Sequence, residues 1–313
     1  MVAAITAAVA VAAATGVAAA GIAGGPSEDA SPAAANQVGV SAASSAPLPL
    51  PATAPPGPSI GPGSPRQQAL AFAGRLRPAA SDVSRGPYSY LETRQWGHQA
   101  FPDGDGRLPP SVQRIQWWRS LAGAGRQVTW DETDGGCRQD GGDTRTSGGM
   151  EGPAGIAGRI AADPDRLRRQ LMAGSLPQER RPRHVVSVIM YLPDWGYLDR
   201  SARTTIVRLL AEQPGLQPLT GVTDRAGRPA VRVAVRDTDS LGTVLDVVLL
   251  LHPVSGQLLA SYDEVVGAAA NTDPNYLTNL HGYRLYLDQR RTPTTQQPAA
   301  GCAGPATTPG RTR

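Results

Sequence analysis

The stretch "VLDVVLLLHPVSGQLLASYDEVV", Val244 to Val266, decides the architecture. Five consecutive apolar residues, Val247–Leu251, leave no polar side, so a strand here is central and covered on both faces. Pro253 and Gly256 then punctuate the chain, and the apolar run resumes at once. Strands joined by so short a turn are antiparallel neighbours.

The pattern continues outward. Upstream, "PLTGVTDRAGRPAVRVAVRD" predicts two strands around Asp224–Gly227, with Val231, Val233 and Val235 facing inward. Downstream, "GYRLYLDQ" predicts a last alternating strand. Before these come three helices. Asp163 and Pro164 open the first, and "HVVSVIMYL" is the second, followed by Pro193. Asp199 caps the third, which Pro214-Gly215 ends. The span "DGGCRQDGGDTRTSGGMEGPAG" predicts a long polar loop. "RQQALAFAGRL" opens the domain as a helix, and "GPYSYLETRQW" follows as a strand with Tyr88, Tyr90, Glu92, Arg94 and Trp96 on one side. The order of elements predicts an α+β fold: a curved, mainly antiparallel sheet covered by helices.

"IQWWRSLAGAGRQVTW", Ile115 to Trp130, lacks the Lys-Ser/Thr ending of a phosphate loop and predicts a hairpin. A turn at Gly123-Ala124 sets Trp117 opposite Trp130, with Ile115 and Val128 on the same face. That face admits two readings, plain core or a surface for an apolar ligand.

Composition divides the chain of 313 residues. Residues 1–24 carry no charge and are long enough for a membrane helix or signal anchor. A basic flank is missing before them, which predicts an Arg-rich extension upstream. Residues 25–65 are a Pro/Ala/Ser-rich linker, expected to be disordered. The working domain is 66–291, and 292–313 is a tail of the same character as the linker. All 30 basic residues are arginine, interleaved with acids to a net charge of +4. Without a longer basic stripe or a recognisable module, nucleic-acid binding is not expected.

Catalytic signals are sparse. His98, His184, His252 and His281 have no metal-ligand spacing, and Asp103–Gly106 fails as a calcium loop because Arg107 stands at a ligand position. No G-x-S-x-G elbow occurs. No catalytic residue, cofactor or metal is expected. Cys137 and Cys302 are either a disulfide or two free thiols.

The motifs "GPYSYLETRQW", "WWRSLAGAGR", "DPDRLRRQL", "LLAEQPGLQPLTGVTDRAGRPAVRVAV" and "LLLHPVSGQLLASYDEVV" occur in that order. In this the chain resembles a family of actinobacterial membrane-anchored proteins often encoded beside extracytoplasmic-function sigma factors. The outer domain is similar to the open half-barrel of lipoprotein carriers. The resemblance implies a non-catalytic, single-pass protein whose main domain is an extracytoplasmic sensor or interaction module, with a protein partner in envelope signalling and a link to sigma-factor regulation. A lipid or lipoprotein ligand on the Trp117–Trp130 face is the alternative, and a secreted enzyme with an unrecognised site is a third.

Overall fold

The computed structural model describes residues 59–97, 111–120, 124–132, 138–146, 163–171, 182–238, 242–267 and 282–295. The N-terminal apolar segment, most of the linker, the turn at Asp103–Gly106, His98, His281, both cysteines and the tail beyond Thr295 lie outside them. Among the described residues no helix is long and apolar enough to cross a membrane.

The elements in chain order are α1 (Pro65–Arg75), a 3-10 turn (Ala80–Val83), β1 (Tyr88–Gly97), β2 (Ser111–Ser120), β3 (Gly125–Asp131) and β4 (Arg138–Thr146). Then come α2 (Pro164–Leu171), α3 (Pro182–Trp195) and α4 (Arg200–Ala211), followed by β5 (Thr220–Thr223), β6 (Pro229–Thr238), β7 (Val244–Leu251), β8 (Leu258–Gly267) and β9 (Tyr283–Thr292). The strands form one sheet of nine in the order β4-β3-β2-β1-β9-β8-β7-β6-β5, antiparallel at every pairing and open at both ends.

Local chemistry explains the helix ends. Ser64 Oγ accepts from the Gln67 N–H at 3.3 Å, and Gln67 Oε1 accepts from the Ser64 N–H at 2.8 Å. This reciprocal cap satisfies two donors that the first turn of α1 leaves open. Asp199 caps α4 in the expected way, accepting from the Ala202 N–H at 2.9 Å. Asp163 accepts from the Arg166 N–H at 2.8 Å at the head of α2.

All four helices lie on one face of the sheet. Their apolar sides, from Phe72 and Leu76 through Leu167, Ile189, Ile206 and Leu210, form one core with Leu91, Val233, Val247, Leu249 and Tyr286 of the strands. β7 is buried on both sides, as its unbroken apolar run requires. On the opposite face, Ala230, Ala234, Val248, Leu250, Ala260 and Leu285 form a second cluster with Tyr283. The small alanines leave room for the β5–β6 turn to fold back over this face. Arg228 donates to the Leu259 carbonyl at 3.0 Å, and the Arg225 guanidinium lies 3.8 Å from the Tyr283 ring centre.

Three expectations are corrected. The predicted polar loop contains β4, paired with β3 over Arg138–Thr146. Its sequence, RQDGGDTRT, has no apolar alternation, and the bonds that make it a strand are backbone bonds. The second helix extends beyond the expected stretch, taking in Pro193 and running on to Trp195. So near a helix end a proline forfeits one backbone bond, and Pro193 is buried against the core.

The third correction concerns the hairpin. The loop closes between Ser120 and Ala124, whose N–H and carbonyl meet at 2.8 Å. Trp117 therefore faces Gln127, and Trp130 faces Arg114. An odd shift in register sends partners to opposite faces. The cause is Gly125: a Cβ there would sit 2.2 Å from the Trp118 carbonyl, so this glycine is a strand position and not part of the turn.

Candidate functional site

The four residues expected to share a ligand face are divided by the sheet. Ile115 and Trp117 lie on the helix side, where Ile115 is buried and Trp117 packs against the main core. Arg119 lies between two indoles, 4.9 Å from Trp117 and 4.4 Å from Trp195 of α3. Burial pushes the Arg119 pKa down, and Asp194 opposes that shift. Val128 and Trp130 lie on the other side with Tyr90 and Trp118. There a row crosses four strands: Arg126 over Trp118 at 4.9 Å, Trp118 beside Tyr90 at 5.0 Å, and Arg290 over Tyr90 at 5.0 Å. Tyr90 also donates to Glu92 at 2.7 Å, and Arg114 bonds the same carboxylate.

Of the histidines, His252 is explained by architecture. Its Nδ1 accepts from the backbone N–H groups of Val254 and Ser255 at 3.3 and 3.1 Å, which folds the β7–β8 turn. Burial, with Arg228 and Arg203 nearby, holds its pKa below the ordinary value. A ring engaged in this way serves the turn. Among the described residues no group of three or more His, Cys, Asp or Glu is placed to hold a metal ion.

The polar chemistry gathers elsewhere, at the seam between β8 and β9. These strands pair only through Ala260↔Leu285, Ser261↔Arg284 and Tyr262↔Tyr283. Beside this short ladder opens a cleft of about 370 Å³. Gln95 and Gln113 wall it on the β1–β2 side, Asp263 on the β8 side, and Met190 and Tyr191 of α3 overhang it. Tyr191 is 50% exposed, unusual for so large a ring.

Two ion pairs are built into the cleft. Arg284 bonds both carboxylate oxygens of Asp194, at 2.9 and 2.5 Å, and so ties β9 to α3. Such a two-point contact fixes orientation as well as distance. Arg183 donates to Asp263 Oδ2 at 3.3 Å, while Asp263 Oδ1 is buried without a hydrogen-bond partner. Burial pushes the Asp263 carboxyl up, with Arg183 only partly offsetting it. Tyr286, raised in pKa by burial, donates to the Met190 carbonyl at 2.5 Å and completes the link between α3 and β9.

Sequence reasoning missed this cluster. Arg183, Tyr191, Asp194, Asp263 and Arg284 are scattered over a hundred residues, and only topology brings them together. One signal was present: Arg284 stands beside Tyr286 on one side of a strand whose other side carries the apolar Tyr283 and Leu285. A second cleft lies between α1 and the β7–β8 turn, lined by Ile60, Phe72 and Val231 and rimmed by Arg75, Arg77 and Arg200.

No family model and no curated protein sequence matches the chain. Among solved structures it is similar to one titled "Crystal structure of MucB in complex with MucA(peri)", at 19% identity and a TM-score of 0.27. That similarity covers 75% of this chain and 59% of the other, so the chain spans less than two thirds of that protein's length.

Proposed function

We propose that this protein is a non-catalytic, extracytoplasmic interaction domain, held at the membrane by its N-terminal segment, which recognises a protein partner in envelope signalling. The seam cleft carries the reading. It offers a half-exposed aromatic ring and a carboxylate oxygen in need of a donor, framed by ion pairs that fix the walls. Those pairs occupy the described charged groups of the cleft with one another. Such a surface suits recognition better than proton transfer. The uncharged N-terminal run and the proline-rich stretch behind it support a domain displayed outside the membrane. Regulation of a sigma factor is the finer form of this proposal and rests on the motif order alone.

The test places a photo-crosslinking residue, one at a time, at the exposed apolar positions Leu70, Val83, Tyr191, Val254 and Val266 of the full chain in its native cells. A discrete protein adduct from at least one position is expected. A reporter active only in the cytoplasm, fused after Arg313, should stay silent. Absence of any protein adduct, or a strong reporter signal, would sink the proposal.

Lipid carriage is the second reading. The observation favouring it is the α1 cleft, apolar inside and edged by three arginines, which matches an anionic headgroup on an acyl chain. Trp117 and Trp130 line neither cleft. Native mass spectrometry of the purified domain separates the readings, since a carrier retains lipid.

A further inference from the structure

The turn between β7 and β8 is built around one titratable ring. His252 Nδ1 accepts from the Val254 and Ser255 N–H groups at 3.3 and 3.1 Å, and an imidazole nitrogen that accepts carries no proton. Two backbone bonds close the turn around it. The Gly256 N–H donates to the His252 carbonyl at 2.9 Å, and the His252 N–H to the Gln257 carbonyl at 2.8 Å. The closed turn then holds three other elements. Its Val254 carbonyl accepts from the Arg77 N–H, just beyond α1, at 2.9 Å, and its Ser255 carbonyl accepts from Arg203 of α4 at 2.8 Å. Gln257 donates to Ser81 of the 3-10 turn at 2.9 Å. Gly256 is pressed so close to the end of α1 that a Cβ on it would lie 2.8 Å from Leu76 Cδ1. At the tip, Pro253 and Val254 are exposed, and both wall the α1 cleft.

We propose that His252 is a proton-operated catch: unprotonated, it clamps the turn onto the end of α1, and protonated, it releases Pro253–Gly256 and widens the cleft beside them. This stands apart from the interaction reading, since it needs no partner. A proton on Nδ1 sets a third donor against two N–H groups, so both bonds break together. The new charge also meets others of its own sign. Arg203 from α4 and Arg228 from the β5–β6 turn face the ring, paired with Asp82 and Asp224 respectively. Arg75, Arg77 and Arg200 rim the cleft at the tip of the turn. Because burial and the facing arginines depress the folded pKa, the clamp is complete above the unfolded value of about 6.5 and is lost as pH falls through the folded one. The opening stays local, because Leu251 and Leu258 on either side of the turn are buried in the main core.

The experiment measures hydrogen exchange amide by amide, by NMR on the full chain between about pH 7.5 and about pH 4.5, corrected for intrinsic rates. Protection of Val254, Ser255 and Arg77 should fall together by at least about tenfold, the change that one pKa unit between closed and open turn gives. In His252→Asn the side-chain carbonyl stands where Nδ1 does and accepts the same two N–H groups without titrating, so protection should not vary with pH. His252→Ala, with no acceptor, should show the weakened state across the whole range, while protected amides in β7 report an intact fold. Wild-type protection that persists to the acid end of the range would overturn the proposal, as would exchange at Val254 and Ser255 with Arg77 still protected. Asp263 and Asp288, whose carboxyls burial pushes up, also gain protons on the way down. A loss of protection that survives in His252→Asn would belong to them and would equally overturn it.

Discussion

Arg203 shows how single residues hold this fold. Only 2% exposed, it donates to Asp82 Oδ1 and Oδ2 at 3.0 and 2.7 Å, to the Leu198 carbonyl at 2.5 Å and to the Ser255 carbonyl at 2.8 Å. One side chain thus joins the 3-10 turn, the start of α4 and the β7–β8 turn. Arg203→Met leaves Asp82 charged and these carbonyls without their donor, and should cost ~3–5 kcal/mol in urea denaturation. Burial alone would raise the Asp82 carboxyl, but hydrogen bonds from Arg203, Tyr197 and the Ala79 N–H outweigh it and hold the pKa below the ordinary value. A depressed carboxyl adds stability that is complete above the unfolded pKa of about 3.9 and is lost as pH falls through the folded one. Asp246, held down by Arg236 and Arg232 against burial, acts in the same sense. Asp263, held up, acts in the opposite sense: its contribution favours the fold at low pH and is lost as pH rises through its folded pKa. Urea midpoints measured below about pH 4 should therefore fall less steeply for Asp82→Asn than for the wild type. A steeper fall in the variant would contradict this assignment.

At the scale of elements, legibility followed burial. β7, β8 and the capped helix α4 could be read because apolar runs and Asp199 each act through one local mechanism. β4 could not, since a backbone ladder leaves no mark in RQDGGDTRT. The hairpin was read correctly as a hairpin and wrongly in register, because three tryptophans in sequence offer apolar partners in more than one alignment. The close approach of Gly125 to Trp118 decides between them. The seam cluster was illegible for a different reason, as its partners come from α3, β8 and β9. Register makes a clean prediction. With Cys137 and Cys302 changed to serine, Gln113→Cys and Asp131→Cys should oxidise to a disulfide, since these positions are paired across β2 and β3. Gln113→Cys with Asp134→Cys, the pair demanded by a turn at Gly123-Ala124, should stay reduced. Non-reducing mass spectrometry distinguishes them, and the reverse outcome would restore the Trp117–Trp130 pairing.

The whole molecule poses a question of cooperativity. Its sheet narrows to three residue pairs at the seam, which could divide it into a β1–β4 and β9 half and a β5–β8 half. What spans the seam is the core on the helix side. Leu91 of β1, Tyr286 of β9, Leu258 of β8 and Val233 of β6 belong to one continuous cluster, and α3 packs on β1, β6 and β7 together. Two polar ties reinforce this, Arg284 to Asp194 and Tyr286 to the Met190 carbonyl. The five tryptophans allow a direct test, because Trp96, Trp117, Trp118 and Trp130 sit in β1–β3 and Trp195 in α3. Fluorescence therefore reports one half and α3, whereas far-ultraviolet circular dichroism reports every element. In the wild type both should trace a single urea transition. Arg284→Met removes the tie from β9 to α3 and strands Asp194, which is 16% exposed at its side chain. The half with fewer helices over it should then come away first, so that fluorescence changes at lower urea than circular dichroism. Coincident curves in this variant would mean that the apolar core alone binds the halves and that the ion pair serves only to shape the cleft.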